Sequence, residues 1–384
     1  MCLFTLSMEV MSDPKISSRR FKKSPFFDCY HHDDVLYGVY NKRLYPLSCG
    51  YDVNSHYEHL ITNACMYDVP ETPLRFSGPD VVTFMEKIFT RNIRDISPGR
   101  AVYAFACNDN GGIIMDGVLL HPNEEEYIYV QADGDFINWA NAQKGDLDAS
   151  VEDFNSWVLQ IQGPSSLKIL EKITGIKASE FSYYSATITS INNAKFYVSR
   201  TGWTGEKGFE IYSFDDAFNG KKLWNYLLEA GEEFGLIASD IASMHIRRIQ
   251  AGILDYGTDF DDSLNPYELG LGNFIDLERS FIGQSALKGK QESPLKIFGL
   301  TCDNHTPTYE DKVVNARQEV IGSVSAGAKL PSKYGTNIGI MRIDVPDKVS
   351  DDIYLLTPDN KIIDIKLVKL PFKDPEKQIS KSND

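Results

Sequence analysis

Apolar residues in the first two-thirds of the chain switch between two periods. Leu74, Arg75 and Phe76 read as a strand ending in the turn at Gly78. After it, Val81, Phe84, Met85 and Ile88 recur at helical spacing, with Asp80 expected as the cap. Residues 103–107 are strand-like, Asp109-Asn110-Gly111-Gly112 is a hairpin signal, and residues 113–120 and 127–131 supply two further strands. The same kinds of element follow: a strand at 157–161, a turn at Gly163-Pro164 and a helix at 166–173. Strands at 194–199 and 210–213 flank a glycine-containing turn, and amphipathic helices are expected over 217–234 and 239–254. The two strand–turn–helix units suggest a loose internal duplication without a strict period.

Beyond a linker at 288–294 the pattern changes to short strands at 296–301, 319–325, 337–343, 353–356 and 362–368, separated by Gly and Pro turns. Such spacing predicts a small β-barrel. The chain therefore reads as an α+β protein in four parts. These are a flexible N-terminal segment (1–25), two α+β lobes (26–290), a C-terminal β-barrel (291–372) and a frayed tail (373–384).

The formal net charge of −15 argues against a nucleic-acid partner, because phosphate binding needs clustered Lys and Arg. The basic patches are short: Arg19-Arg20 with Lys22-Lys23, and Arg247-Arg248. The six cysteines form no CxxC pair and have no His cluster beside them, so no metal is expected. Scattered single cysteines, no basic n-region at the N-terminus and no long apolar run point to a cytoplasmic protein without a membrane partner. Neither GxSxG nor HExxH occurs, which disfavours hydrolase and metalloprotease chemistry.

Four segments carry candidate chemistry. In the stretch from Ser199 to Tyr212, three glycines in seven residues allow a sharp turn and close approach to a ligand. If residues 209–212 form a strand, Glu210 and Tyr212 share a face, and Trp203 adds an aromatic wall. An acid beside a phenol suits a flat, amide-rich heterocycle; an ordinary hairpin with a core Trp and an exposed Glu fits the same composition. Asp116 lies in an apolar strand, across the Gly111-Gly112 turn from Tyr103, and a carboxylate there must be paired or functional. Of Arg247 and Arg248, one can reach a ligand carboxylate or both can lie on a helix surface. The acid-rich loop 255–266 lacks the spacing of a calcium loop and reads as a solvated turn.

At these segments the chain resembles the glycine-cleavage T-protein (aminomethyltransferase) family. The run Ser199-Arg200-Thr201-Gly202-Trp203-Thr204-Gly205-Glu206-Lys207-Gly208-Phe209-Glu210-Ile211 is similar to that family's folate motif. Tyr103 with Gly111-Gly112-Ile113, Ile161-Gln162-Gly163-Pro164, Arg248 and Gln250 before Tyr256-Gly257, and Phe281-Ile282-Gly283 match in order over about residues 25–370. Tyr40-Asn41, the 256–268 segment and Leu370-Pro371-Phe372 look most like the dimethylsulfoniopropionate demethylase branch.

The resemblance implies a T-protein-like three-lobed folate-binding fold and an enzyme that moves a methyl group from a small donor to N5 of tetrahydrofolate. Dimethylsulfoniopropionate is the preferred donor. Tyr103, Glu210, Tyr212 and Arg248 are the expected folate contacts, and Asp116, Trp203 and Tyr212 the expected catalytic groups. T-proteins carry two acids after the Gly-Gly turn, the first of them catalytic; here that position is Met115, which weakens the aminomethyl reading. That reading, with a lipoyl carrier protein as partner, remains the alternative. So do methylamine or aryl methyl ether donors and, in a different class, a non-catalytic folate-binding regulator. The oligomeric state is left open, with a homodimer as one candidate.

Overall fold

The computed structural model describes residues 16–383 apart from 215, 216, 332, 334, 350 and 351. The first fifteen residues of the expected flexible N-terminal segment lie outside the described residues. Two sheets form the first two lobes. The six-stranded sheet has the order Ala186–Ile191, Ala194–Ser199, Gly208–Ser213, Val158–Gln162, Ala64–Val69, Leu236–Ala238. The five-stranded sheet has the order Arg100–Cys107, Ile113–Asn123, Glu126–Gln131, Thr72–Ser77, Ser150–Asp153.

Each sheet buries two faces, and the alternation of side chains decides which residues go where. On the six-stranded sheet, Leu159, Ile161, Phe209 and Ile211 face outward under helices Ser166–Thr174 and Gly220–Gly231. On the five-stranded sheet, Ala104, Ala106, Met115 and Leu119 face outward under helix Val81–Ile88. The intervening residues of both sheets turn towards one another. Val158, Tyr197 and Tyr212 from one sheet meet Ala101, Leu120, Ile128 and Val130 from the other in a shared apolar layer. Polar residues at the same pleat positions, Gln160, Glu210 and Asp116, are thereby delivered to the seam between the lobes.

The third lobe is a seven-stranded sheet running from Ile362–Asp364 through Ile353–Leu356, Lys312–Asn315, Val320–Ala328, Asn337–Ile343 and Ile297–Cys302 to Lys366–Val368, curled into a nearly closed barrel. Helix Ile241–Gln250 fastens it to the other lobes, since Ile246 and Ile249 pack with Ile340 and Ala328 of the barrel and Phe105 and Ile113 of the five-stranded sheet. The helix stops earlier than expected because Gly252 takes a left-handed φ of 62°, where a Cβ would press on Pro371.

Two local expectations change. Asp80 does not cap its helix; its carboxylate accepts from the backbone N–H of Asp148 at 2.9 Å, tying the helix start to the neighbouring loop. Residues 380–382 of the C-terminal tail are tied down as well. Buried Arg200 donates to the carbonyls of Phe181 (2.7 Å), Ser380 (3.3 Å) and Ser382 (2.6 Å), pinning the tail against the lobe that carries the glycine-rich motif.

Candidate functional site

The site lies in the seam between the two inner sheet faces. Glu210 sits mid-strand, paired with Gln160 on one side and Ser199 on the other. It is buried, not exposed as a simple hairpin would have it. Its Oε2 accepts from the hydroxyls of Thr201 and Tyr212, the latter at 2.8 Å, and its Oε1 accepts from Gln160 Nε2 at 2.6 Å. Burial raises its pKa against these donors.

A carboxylate offers about four lone-pair positions, so Oε1 keeps one acceptor position free. Gln160 Oε1 next to it is buried and has no partner among the described residues. Two acceptors side by side match a ring edge that presents two N–H donors. Tyr212 is fully buried beneath Glu210, so it positions the carboxylate and does not form an exposed wall.

The opposite wall carries Asp116. Tyr103 donates to it at 2.7 Å from the adjacent strand. Burial, with a further push from the charge of Asp255, raises the Asp116 pKa to about 7. Asp255 is itself raised to about 6 by burial, against the favourable charge of Arg248. Tyr103 keeps some accessible surface, and its ring meets Phe274 edge-on at 5.1 Å.

Three further groups reach this seam, and two of them, Tyr184 and Glu71, carry no local sequence signal. Tyr40 stands at the end of a two-residue hairpin loop, Asn41-Lys42, with both residues left-handed (φ 50° and 61°). The loop docks beside the Asp116 strand: Asn41 N–H donates to Asp133 at 2.7 Å and its side chain to the Ala132 carbonyl at 3.0 Å. Tyr184 adopts φ 61°, a costly conformation for a bulky residue. It is held there by one hydrogen bond to each lobe, from its N–H to the Arg200 carbonyl (3.1 Å) and from Ala101 N–H to its own carbonyl (2.8 Å). Glu71 is raised to about 8 by burial and by the charge of Glu210, and its Oε2 has no partner among the described residues.

Two expectations about the motif are revised. Gly202 and Gly208 are required because a Cβ at either would collide with the Gln162 side chain, which spans the loop from Thr204 (2.8 Å) to the Thr201 carbonyl (3.2 Å). The glycines serve this internal packing. The acid loop is a solvated turn only in part: Asp261 and Asp262 are exposed, but Asp259 is buried, paired with Arg248, and accepts from Asp255 N–H at 2.8 Å and Ser325 Oγ at 2.5 Å.

Arg248 is therefore an internal strut between the helix and the acid loop, with its guanidinium 5.1 Å from the Trp203 ring centroid. Trp203 stays half-buried with one face so occupied. Arg248→Met should cost about 3–5 kcal/mol of stability, because it strands a buried carboxylate. Denaturant titration reads this directly, and an unchanged midpoint would refute the strut.

A family model described as the GCVT N-terminal domain matches residues 40–279. An aminomethyltransferase of Halothermothrix orenii is 28% identical over 362 residues, covering 91% of this chain and 99% of its own length. Another, from Clostridium botulinum, is 33% identical over 291 residues, covering 72% and 78%. The chain belongs to the glycine-cleavage T-protein family.

The crystal structure of glycine cleavage system aminomethyltransferase T from Bartonella henselae shares the fold, with a TM-score of 0.80 at 20% identity over 92% of this chain and 98% of that one. As a T-protein family member the chain is a folate-dependent one-carbon transferase, with tetrahydrofolate as the acceptor. Among the described residues, no group of three or more His, Cys, Asp or Glu side chains is placed to hold a metal ion, and no helix is long and apolar enough to cross a membrane.

Met115, at the position where T-proteins carry the first acid, points away from the seam into the outward core under helix Val81–Ile88. The carboxylate on the seam side is Asp116.

Proposed function

We propose that this chain transfers the methylene of a cationic aminomethyl donor, presented on a lipoyl carrier protein, to tetrahydrofolate: its bonds to the amine and to the lipoyl sulfur are replaced by bonds to N5 and N10, and ammonium and the reduced lipoyl thiol leave with the protons those nitrogens release. The observation that carries the reading is the pairing of opposite walls. Glu210 Oε1 and Gln160 Oε1 offer two acceptors for a pterin edge, and across the seam the Tyr103–Asp116 pair stands near Asp255. Carboxylates with raised pKa values favour a cation beside them, since each gains as a carboxylate when positive charge arrives. Asp116, its pKa raised to about 7 by burial, takes as the carboxylate the proton that the attacking nitrogen releases. Alignment of the two reactants between the walls supplies roughly 7–11 kcal/mol of the barrier reduction.

A sulfonium donor such as dimethylsulfoniopropionate is the second reading. The same acids and the rings of Tyr40 and Tyr103 suit any onium carbon, so these groups support both. Trp203, expected to attract the sulfur, already carries Arg248 on one face, and that guanidinium repels a second cation. The deciding experiment incubates the protein with tetrahydrofolate and, in parallel, an aminomethylated lipoyl carrier protein, methylamine, a methoxyaryl compound and dimethylsulfoniopropionate. Formation of 5,10-methylenetetrahydrofolate from the carrier protein alone supports the proposal. Formation of 5-methyltetrahydrofolate from the sulfonium alone replaces it with the second reading.

A further inference from the structure

A cavity lies beside the glycine-rich motif, bounded by Thr201, Glu206, Arg247, Lys373, Asp374 and Lys377. Its enclosed part is about 30 Å³, room for roughly one water-sized group or one end of an oxyanion. Arg247 is 1% exposed, yet both terminal guanidinium nitrogens lack a partner among the described residues. Only its Nε is engaged, by Glu206 at 2.8 Å. Leaving two N–H-bearing groups of a cation unsatisfied in the interior is costly, so an acceptor is missing from the cavity.

The other acid present does not supply it. Asp374 is occupied by the backbone N–H groups of Gln378 and Ile379, both at 2.8 Å. Lys373 and Lys377 sit exposed at the mouth. Desolvation and the neighbouring charge of Lys381 lower the pKa of Lys377, a cost that an arriving anion would offset.

We propose that this cavity is an oxyanion site, in which a carboxylate or phosphate is held by the two free arms of Arg247 and closed over by Lys373 and Lys377. Planar guanidinium nitrogens match two oxygens of one group. The occupant is either a free oxyanion or the terminal carboxylate of a polyglutamyl chain on the folate; the second source rests on the folate reading above, the first does not. Thr201 links the sites, since it lines this cavity and donates to Glu210.

The test has two arms, both on the full chain. Inorganic phosphate is titrated by calorimetry at fixed ionic strength, and monoglutamyl and pentaglutamyl tetrahydrofolate are compared. Three proteins are used: wild type, Arg247→Met, and the Lys373→Ala/Lys377→Ala double variant, whose exposed positions leave the fold intact if Arg247→Met does not fold. Saturable phosphate binding that weakens at least about 10-fold in the double variant assigns a free oxyanion. No phosphate binding, but a pentaglutamyl preference lost in the double variant, assigns the ligand tail. Phosphate uptake no different from chloride together with equal affinity for both folates overturns the site, as does binding indifferent to the substitutions. If neither folate binds at all, the folate reading fails and the phosphate arm alone decides this one.

Discussion

Asp116→Asn is expected to lower kcat by about 10²- to 10⁴-fold, the usual contribution of a positioned acid–base group, while leaving tetrahydrofolate affinity nearly unchanged. The same substitution should make the protein more stable. The folded pKa of Asp116 is raised to about 7 from an ordinary 3.8. Protonated Asp116 is thus favoured by the fold and its ionised form is penalised. The penalty is absent below about pH 4, grows as pH rises and is complete above about pH 7, where it amounts to something on the order of 4 kcal/mol. Asparagine never ionises and avoids it, so its advantage should appear at pH 8 and vanish near pH 4. The wild-type rate should rise with pH through about 7, and the variant should lose that limb. Denaturant midpoints at the two pH values and a pH–rate profile check all three statements. An unaltered profile would remove Asp116 from the chemistry, and a variant less stable than wild type at pH 8 would refute the burial penalty.

Glu210→Ala should weaken tetrahydrofolate binding by roughly 10- to 100-fold, as expected for one charge-assisted hydrogen bond of about 1.5–3 kcal/mol. It also strands the hydroxyls of Thr201 and Tyr212 and the amide of Gln160. Glu210→Gln separates the two effects. It keeps an acceptor for most of these donors but loses the charge, so it should fold as well as wild type and still bind folate more weakly. Calorimetric titration of all three proteins reads the affinities. Equal Kd for wild type and Glu210→Gln would show that the carboxylate holds only its protein neighbours.

Much of the architecture was legible because local patterns and tertiary burial agree. The Gly111-Gly112 turn, the helical period at Val81–Ile88 and the short barrel strands each appear within a few residues of expectation. Strand Ala64–Val69 gave no such signal. All six residues are buried, so apolar and polar positions do not alternate, and Asp68 hides in it by accepting from Ser24 and from Tyr30 at 2.8 Å.

The site divides the same way. Glu210, Tyr103 and Asp116 stand next to recognisable turns, and strand alternation alone puts Glu210 and Tyr212 on one face. Tyr184, Glu71 and Asp255 come from loops, and Tyr40 from a strand end, whose positions only the packed lobes define. Arg248 and two glycines of the motif also serve internal packing, on Asp259 and Gln162, which their residue types alone do not announce.

The central claim is that a reduced pterin lies in the seam between the two inner sheet faces, its ring edge on Glu210 and Gln160. A crystal structure of the protein with tetrahydrofolate tests it most directly. Pterin N–H groups within about 3.2 Å of Glu210 Oε1 and Gln160 Oε1, with the reactive nitrogen facing Asp116, are the expected result. A pterin bound anywhere else, or one whose edge meets neither acceptor, would contradict it.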